Sequence, residues 1–179
     1  FRTFFLLSVL DAIVGAAVWL PSAFGIQAIG PTGISPGDWH RDVLLFGMVP
    51  AILTGFLLTA LPRWTGRRAV SPLTTRLLVA LWLCSRGTFL FLSHSAGLAL
   101  SALLVLTLLL IAAGHVIASR DRRNLKIVFL LLIFCGSNVL TAASYQLEFA
   151  LRLALASIIG LLMIIGGRVV PALTMAYVE

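Results

Sequence analysis

Acidic side chains are nearly missing from this chain. Six Asp and Glu stand against 13 Lys and Arg in 179 residues, and charged residues of both signs make up only 11%. Soluble domains carry roughly a quarter charged residues, so a water-covered globular surface is the first thing excluded. The shortage of carboxylates also leaves hydrolytic chemistry little to work with; only Asp42 and Glu148 fall where a membrane cavity would reach them. Histidine is scarce, with three in the chain. The two cysteines, Cys84 and Cys135, lie far apart inside apolar runs and form no CxxC, so no disulfide framework is implied. No nucleophile stands beside a base, and no glycine-rich phosphate loop is present.

What fills the chain instead is apolar: 60% of residues, with a mean hydropathy of +1.09. Six apolar runs, approximately 4–22, 43–61, 75–93, 97–118, 125–144 and 149–166, are bounded by charge, Pro or Gly. Lipid offers no water to unpaired backbone groups, and nothing here alternates like barrel strands, so each run is read as a helix. The expected fold class is therefore all-α, a polytopic integral membrane protein forming one domain, a bundle of six transmembrane helices. The first run exceeds the usual signal-peptide core and lacks a convincing cleavage site, so it reads as a retained span. The longest connection, 22–38, is rich in Gly and Pro. The turn His94-Ser95-Ala96 is short and predicts an antiparallel pair of helices on either side of it.

The net charge of +7 raises the question of nucleic acid, but the basic residues sit between apolar runs rather than along one soluble face. With alternating helices, one side receives Arg2, Arg63, Arg67, Arg68, Arg76, Arg120, Arg122, Arg123, Lys126 and Arg168. Those are ten of the 13 basic residues. The positive-inside rule then places both termini in the cytoplasm. The basic loops are topology determinants with affinity for anionic head groups, so the partner is the lipid bilayer and not nucleic acid.

The stretch 39–66 carries the densest chemistry. Trp39 and Trp64 fit the aromatic belts of the two membrane surfaces. Gly47, Ala51, Gly55 and Thr59 repeat every four residues, a stripe that lets a neighbouring helix or a flat cofactor approach closely; helix packing is the commoner use. Pro50 removes a backbone donor, which predicts a kink and frees the carbonyl of Phe46. His40 at the upper end has two readings: a ligand to haem iron or copper, or an interfacial histidine bonded to Asp38, Asp42 or head groups. His94 lies on the same side and is either its partner across a metal or a turn residue. His115 lies a membrane thickness away and cannot share a metal with His40. Arg86 falls well inside the third run, where a lone cation costs a few kcal/mol, so it either serves a site, with Asp42, Glu148 or a bound anion as partner, or is purely structural, in an ion pair or bonded to backbone carbonyls. Cys135, Gly136, Ser137 and Asn138 form a polar patch at similar depth.

Three segments carry a family resemblance. FRTFFLL at 1–7 is similar to an FRPFFLL opening, the stretch 39–66 to a WHAHEMLFGF…GFLLTAVPNWTG core, and Gly166-Gly167-Arg168-Val169-Val170-Pro171 to a GGRxxP segment. Together they resemble the NnrS family, bacterial membrane proteins containing haem and copper and linked to nitric oxide metabolism. Members have about twice as many spans, so the resemblance is to their N-terminal half and implies a longer protein. It implies haem b, with His40 on the iron; the residues themselves, not the resemblance, add His94 as a further metal ligand and Asp42 and Arg86 beside the cofactor. Copper carries over poorly, because Asp42 stands where the family has its second motif histidine and Val43 where it has glutamate. The rival reading is a non-catalytic subunit of a larger respiratory or photosynthetic complex, or a homo-oligomer. A transporter rests only on Arg86, Asn138 and the kinked helix.

Overall fold

The structure, a computed structural model, describes residues 2–26, 34–120 and 122–178; for 172, 173 and 175–178 only the backbone is described. Among the described residues there are six helical rods and no strand. The first is α1 (Arg2–Ala23). The second is continuous from α2 (Pro36–Val43) through a π-turn (Leu44–Met48) into α3 (Val49–Thr65). Then come α4 (Pro72–Phe91), α5 (His94–Ser119), a 3-10 turn (Arg122–Asn124), α6 (Leu125–Ala142) and α7 (Leu147–Val178). Five rods are long and apolar enough to cross a membrane; the exception is α4, which carries Arg76 and Arg86.

Local sequence explains the starts. Ser35, Ser71 and Ser93 each cap a helix by accepting a hydrogen bond from the N–H three residues on, at Asp38, Thr74 and Ala96. Pro36 and Pro72 follow two of these caps, where a missing N–H is harmless. The second rod therefore begins seven residues before the apolar run at 43–61, and the expected 22–38 connection ends at Ser35; its residues 27–33 lie outside the described residues. The turn also differs from expectation. Leu92 and Ser93 make the connection, and His94 is the first residue of α5. The last helix runs to Val178 rather than stopping near 166. Gly166, Gly167 and Pro171 would break a helix in water, but lipid offers the freed backbone groups no alternative partner.

Packing centres on α5, which touches α3, α4 and α6; α7 lies outside α6, and α1 lies against α2, the π-turn and α3. Phe46, Leu57, Leu98, Leu108, Leu131 and Phe134 are fully buried in the larger apolar cluster. A second cluster joins Phe4, Ala51, Leu58, Leu78, Trp82 and Leu104. Between apolar helices in lipid, dispersion contacts rather than water exclusion hold such clusters. Gly97 shows how tight they are: a Cβ there would lie 2.5 Å from Phe89 Cα, so the α4–α5 hairpin closes only around glycine. The outward surfaces carry large exposed apolar residues, such as Leu6 and Leu10 on α1 and Leu162 and Met163 on α7, as expected for contact with acyl chains.

Contacts confirm which ends lie together. Thr65, closing α3, meets His115 near the end of α5 at 3.3 Å, and Arg168 reaches both Trp64 and the start of α6. At the other end, His40 meets α1 and Asp42 meets His94. The bundle thus has a basic end and a histidine end.

Candidate functional site

The site grows from Pro50. It has no N–H, so the Phe46 carbonyl lacks its usual helical donor four residues on. The π-turn Leu44–Met48 immediately precedes α3, and such turns leave carbonyls off the regular ladder. Side chains from two other helices take them up. Arg86 Nη2 on α4 and Ser101 Oγ on α5 both donate to the Phe46 carbonyl, the former at 3.3 Å. Trp82 Nε1 on α4 donates to the Gly47 carbonyl at 3.0 Å.

Arg86 is only 5% exposed. Besides Phe46 it donates to Ser85 Oγ at 3.2 Å and lies 4.7 Å over the Phe89 ring. Its carboxylate partner is Asp11 of α1, with Nη1 3.9 Å from Oδ2. At that distance the pair attracts without a direct hydrogen bond. The expected partners are elsewhere: Glu148 pairs with Arg152 on an exposed surface at 3.3 Å, and Asp42 is held by Arg41 and His94. Gly47 makes the arrangement possible, because a Cβ there would collide with both the Asp11 carboxylate and the Arg86 guanidinium. At this level the small-residue stripe accommodates the Asp11 and Arg86 side chains and the neighbouring helices.

A polar layer continues through the bundle. Ser85 Oγ donates to the Gly97 carbonyl at 2.9 Å. Buried Asn138 on α6 sits 3.1 Å from Ser101 Oγ, and with its amide turned over it also bonds Leu98 O and Ala102 N of α5. Cys135 Sγ faces the Ala102 carbonyl at 3.8 Å. The patch read at 135–138 therefore joins α6 to α5, which is structural bonding across helices.

Nearer the histidine end, Asp42 is 1% exposed, with Arg41 beside one carboxylate oxygen and His94 beside the other. Its Oδ1 accepts from Arg41 Nε at 2.9 Å, and its Oδ2 lies 3.0 Å from His94 Nε2, too far off line for a hydrogen bond. Arg41 Nη1 also reaches Asp38 at 2.6 Å, and Asp38 accepts from Ser35. His94 packs on Phe89 with ring centroids 4.7 Å apart; Trp39, 2% exposed, approaches the same ring at 6.2 Å. The buried side-chain atoms without a hydrogen bond among the described residues are Asp11 Oδ2, Trp39 Nε1, Arg86 Nε and Nη1, and His94 Nε2. All belong to this one neighbourhood around Phe89 and Gly47.

His40 stands apart from it. The imidazole stacks on Trp19 at 4.7 Å and 17°, with Nδ1 3.2 Å from the Gly15 carbonyl. A carbonyl can only accept, so Nδ1 is the nitrogen that donates to it, and Nε2 is the one left for another partner. It bonds neither Asp38 nor Asp42. Residues 40 and 42 are about 200° apart around a helix, so His40 faces α1 while Asp42 and His94 face α4 and α5. The structure does not bring His40 and His94 together as ligands of one metal. Asp42 and Arg86 are enclosed by protein partners on that other face. Among the described residues, no three of His, Cys, Asp and Glu are grouped to hold a metal ion. Copper takes several such donors, and among the described residues no such group stands at His40, which offers a single imidazole.

The residue that sequence reasoning missed is Asp11. An acid midway along an apolar span is itself a signal of a buried partner, and Asp11 stands midway along the first run.

No curated protein and no solved structure matches this chain. The model of the NnrS protein family matches residues 1–179, all of it. With a multi-pass apolar bundle built around the stretch that carries the family's central motif, this chain belongs to the NnrS family.

Proposed function

We propose that this protein is a haem-associated membrane protein of nitrogen-oxide metabolism, and that His40 is the residue that would hold the iron. The observation that supports it is the set of the imidazole. Nδ1–H is held by a backbone carbonyl and the ring is clamped on Trp19, leaving Nε2 as the nitrogen available to a ligand. Metal-bound histidines characteristically have their second nitrogen fixed in this way. When bound, a haem supplies a redox-active iron that takes small nitrogen oxides as ligands. Gly15 contributes twice, giving its carbonyl and leaving room: a Cβ there would lie 2.9 Å from Val43 Cγ1 and 3.8 Å from His40 Nδ1. Asp42 and Arg86 act from behind, by fixing α2 and the π-turn on which His40 is carried. The basic end faces the cytoplasm of the bacterial inner membrane, and His40 faces outward.

A pyridine haemochrome assay on the purified, detergent-solubilised protein tests this. About one haem per chain is expected, lost in His40→Ala and retained in His94→Ala. Protein without haem at full yield, or full occupancy in His40→Ala, overturns the proposal.

A further inference from the structure

Four helices meet at the Phe89 ring and bury polar atoms there that no protein group satisfies. Among the described residues, Asp11 Oδ2 on α1, Trp39 Nε1 on α2, Arg86 Nε and Nη1 on α4, and His94 Nε2 on α5 make no hydrogen bond. Arg86 is 5% exposed and Trp39 2%. The guanidinium carbon and the His94 ring each lie 4.7 Å from the Phe89 centroid, the Trp39 ring lies 6.2 Å away, and Asp11 Oδ2 is 3.9 Å from Arg86 Nη1. Buried polar atoms are almost always bonded, to protein or to ordered water.

A cavity of about 210 Å³ adjoins this cluster, lined by Phe89, His94, Ile34 and residues 90–93. It has room for several water molecules, each taking roughly 30 Å³ of liquid volume. It borders the C-terminal end of α4, where a helix's last carbonyls have no donor of their own. The Ser93 N–H turns back to the Thr88 carbonyl at 2.9 Å instead of serving Phe89. The wall of the cavity therefore offers acceptors as well as the His94 ring.

The charges around the cluster balance. Asp11 and Asp42 carry the carboxylates, Arg86 and Arg41 the guanidiniums, and exposed Asp38 is taken by Arg41 and Ser35. Neither a free anion nor a free cation gains from entering such a set. The unbonded atoms are mixed in the same way: Arg86 and Trp39 only donate, an ionised carboxylate oxygen only accepts, and an imidazole nitrogen does either. The molecule that fits is small, neutral, and both donor and acceptor.

We propose that this neighbourhood is an internal hydration site, in which individually bound water molecules link the cavity at His94 to Trp39 and to the Asp11–Arg86 pair. These are bound waters rather than a column of bulk solvent, so Arg86 still depends on Phe46, Ser85 and Phe89 for its remaining contacts.

X-ray hydroxyl-radical footprinting of the full chain in detergent micelles, read by mass spectrometry, tests the site. Radicals formed from bound water oxidise the side chains beside it, whatever their exposure to bulk. Phe89, 2% exposed, should be oxidised several-fold faster than Phe134, an equally buried ring packed among apolar neighbours. Asp11→Leu/Arg86→Met, which removes the charged heads, should slow Phe89 by several-fold. Amide exchange at residues 86–90, read in parallel, should stay as slow as at residues 131–135, and it serves if the double variant does not fold. Equal oxidation of Phe89 and Phe134 in the unaltered chain overturns the proposal. So does a fast Phe89 that persists in the double variant or comes with fast amide exchange, since either means opening to bulk solvent.

Discussion

Two arginines of this bundle lie over aromatic rings, Arg86 at 4.7 Å from the Phe89 centroid and Arg168 at 5.0 Å from that of Trp64. The first is enclosed between helices, the second half-buried at the basic end. Around Arg86 the backbone itself is altered: a π-turn and Pro50 free carbonyls, Gly47 clears space, and Asp11 supplies the counter-charge. Around Arg168 no helix is distorted; a side-chain amide and one loop carbonyl suffice. The lesson is that depth sets how much of the fold must be committed to one cation. A guanidinium cut off from water requires acceptors from several helices, and those helices are then fixed relative to each other.

The largest effect should come from removing the deep cation. Arg86→Met leaves the buried Asp11 carboxyl without its cation and strips a donor from the Phe46 carbonyl, which should cost about 3–5 kcal/mol of unfolding free energy in detergent micelles. The comparison sharpens with Asp11→Leu added: if the penalty is an uncompensated charge, the double variant should recover most of the loss. Recovery of none of it would mean that Arg86 matters only as a donor to the π-turn. Next in size is Gly47→Ala. Its methyl would occupy the space shared by the Asp11 and Arg86 heads, so a loss of about 1–3 kcal/mol is expected in the same assay. A neutral result would show that the pair can part without consequence. Smaller again, Trp82→Phe keeps the ring bulk but leaves the Gly47 carbonyl without its indole donor, at about 1 kcal/mol.

Much of this arrangement was legible from local chemistry. Pro50 predicted a freed Phe46 carbonyl, and the structure shows that carbonyl taken by Arg86 and Ser101. The helix starts at Ser35-Pro36 and Ser71-Pro72 were also written in the sequence, as cap and N1 proline, although hydropathy alone places both starts too late. Ser93 and Ser95 are equally good caps on paper, and only the structure shows Ser93 used, which moves His94 from a turn into α5. What could not be read were pairings across 75 residues of chain. Nothing in the periodicity of α1 says that Asp11 faces Arg86, because in lipid the apolar pattern runs all around the helix and gives no inward face. The same absence hid that His40 and His94 point to different neighbours; their shared end was readable, their faces were not.

The smallest effect belongs to the rim. Arg168→Leu removes two hydrogen bonds and a cation–π contact, but water and head groups can replace them, so about 1 kcal/mol or less should be lost. Because Arg168 joins α7 to the 3-10 turn and to Trp64, the change should be local: faster hydrogen exchange beyond residue 168 and an altered Trp64 emission, with exchange near Arg86 unchanged. If Arg168→Leu instead proved as damaging as Arg86→Met, depth would not be what separates the two arginines. The anchoring of α7 on α6 would then be the weak point of the bundle, and the polar layer at Phe46 would lose its claim to hold the helices together.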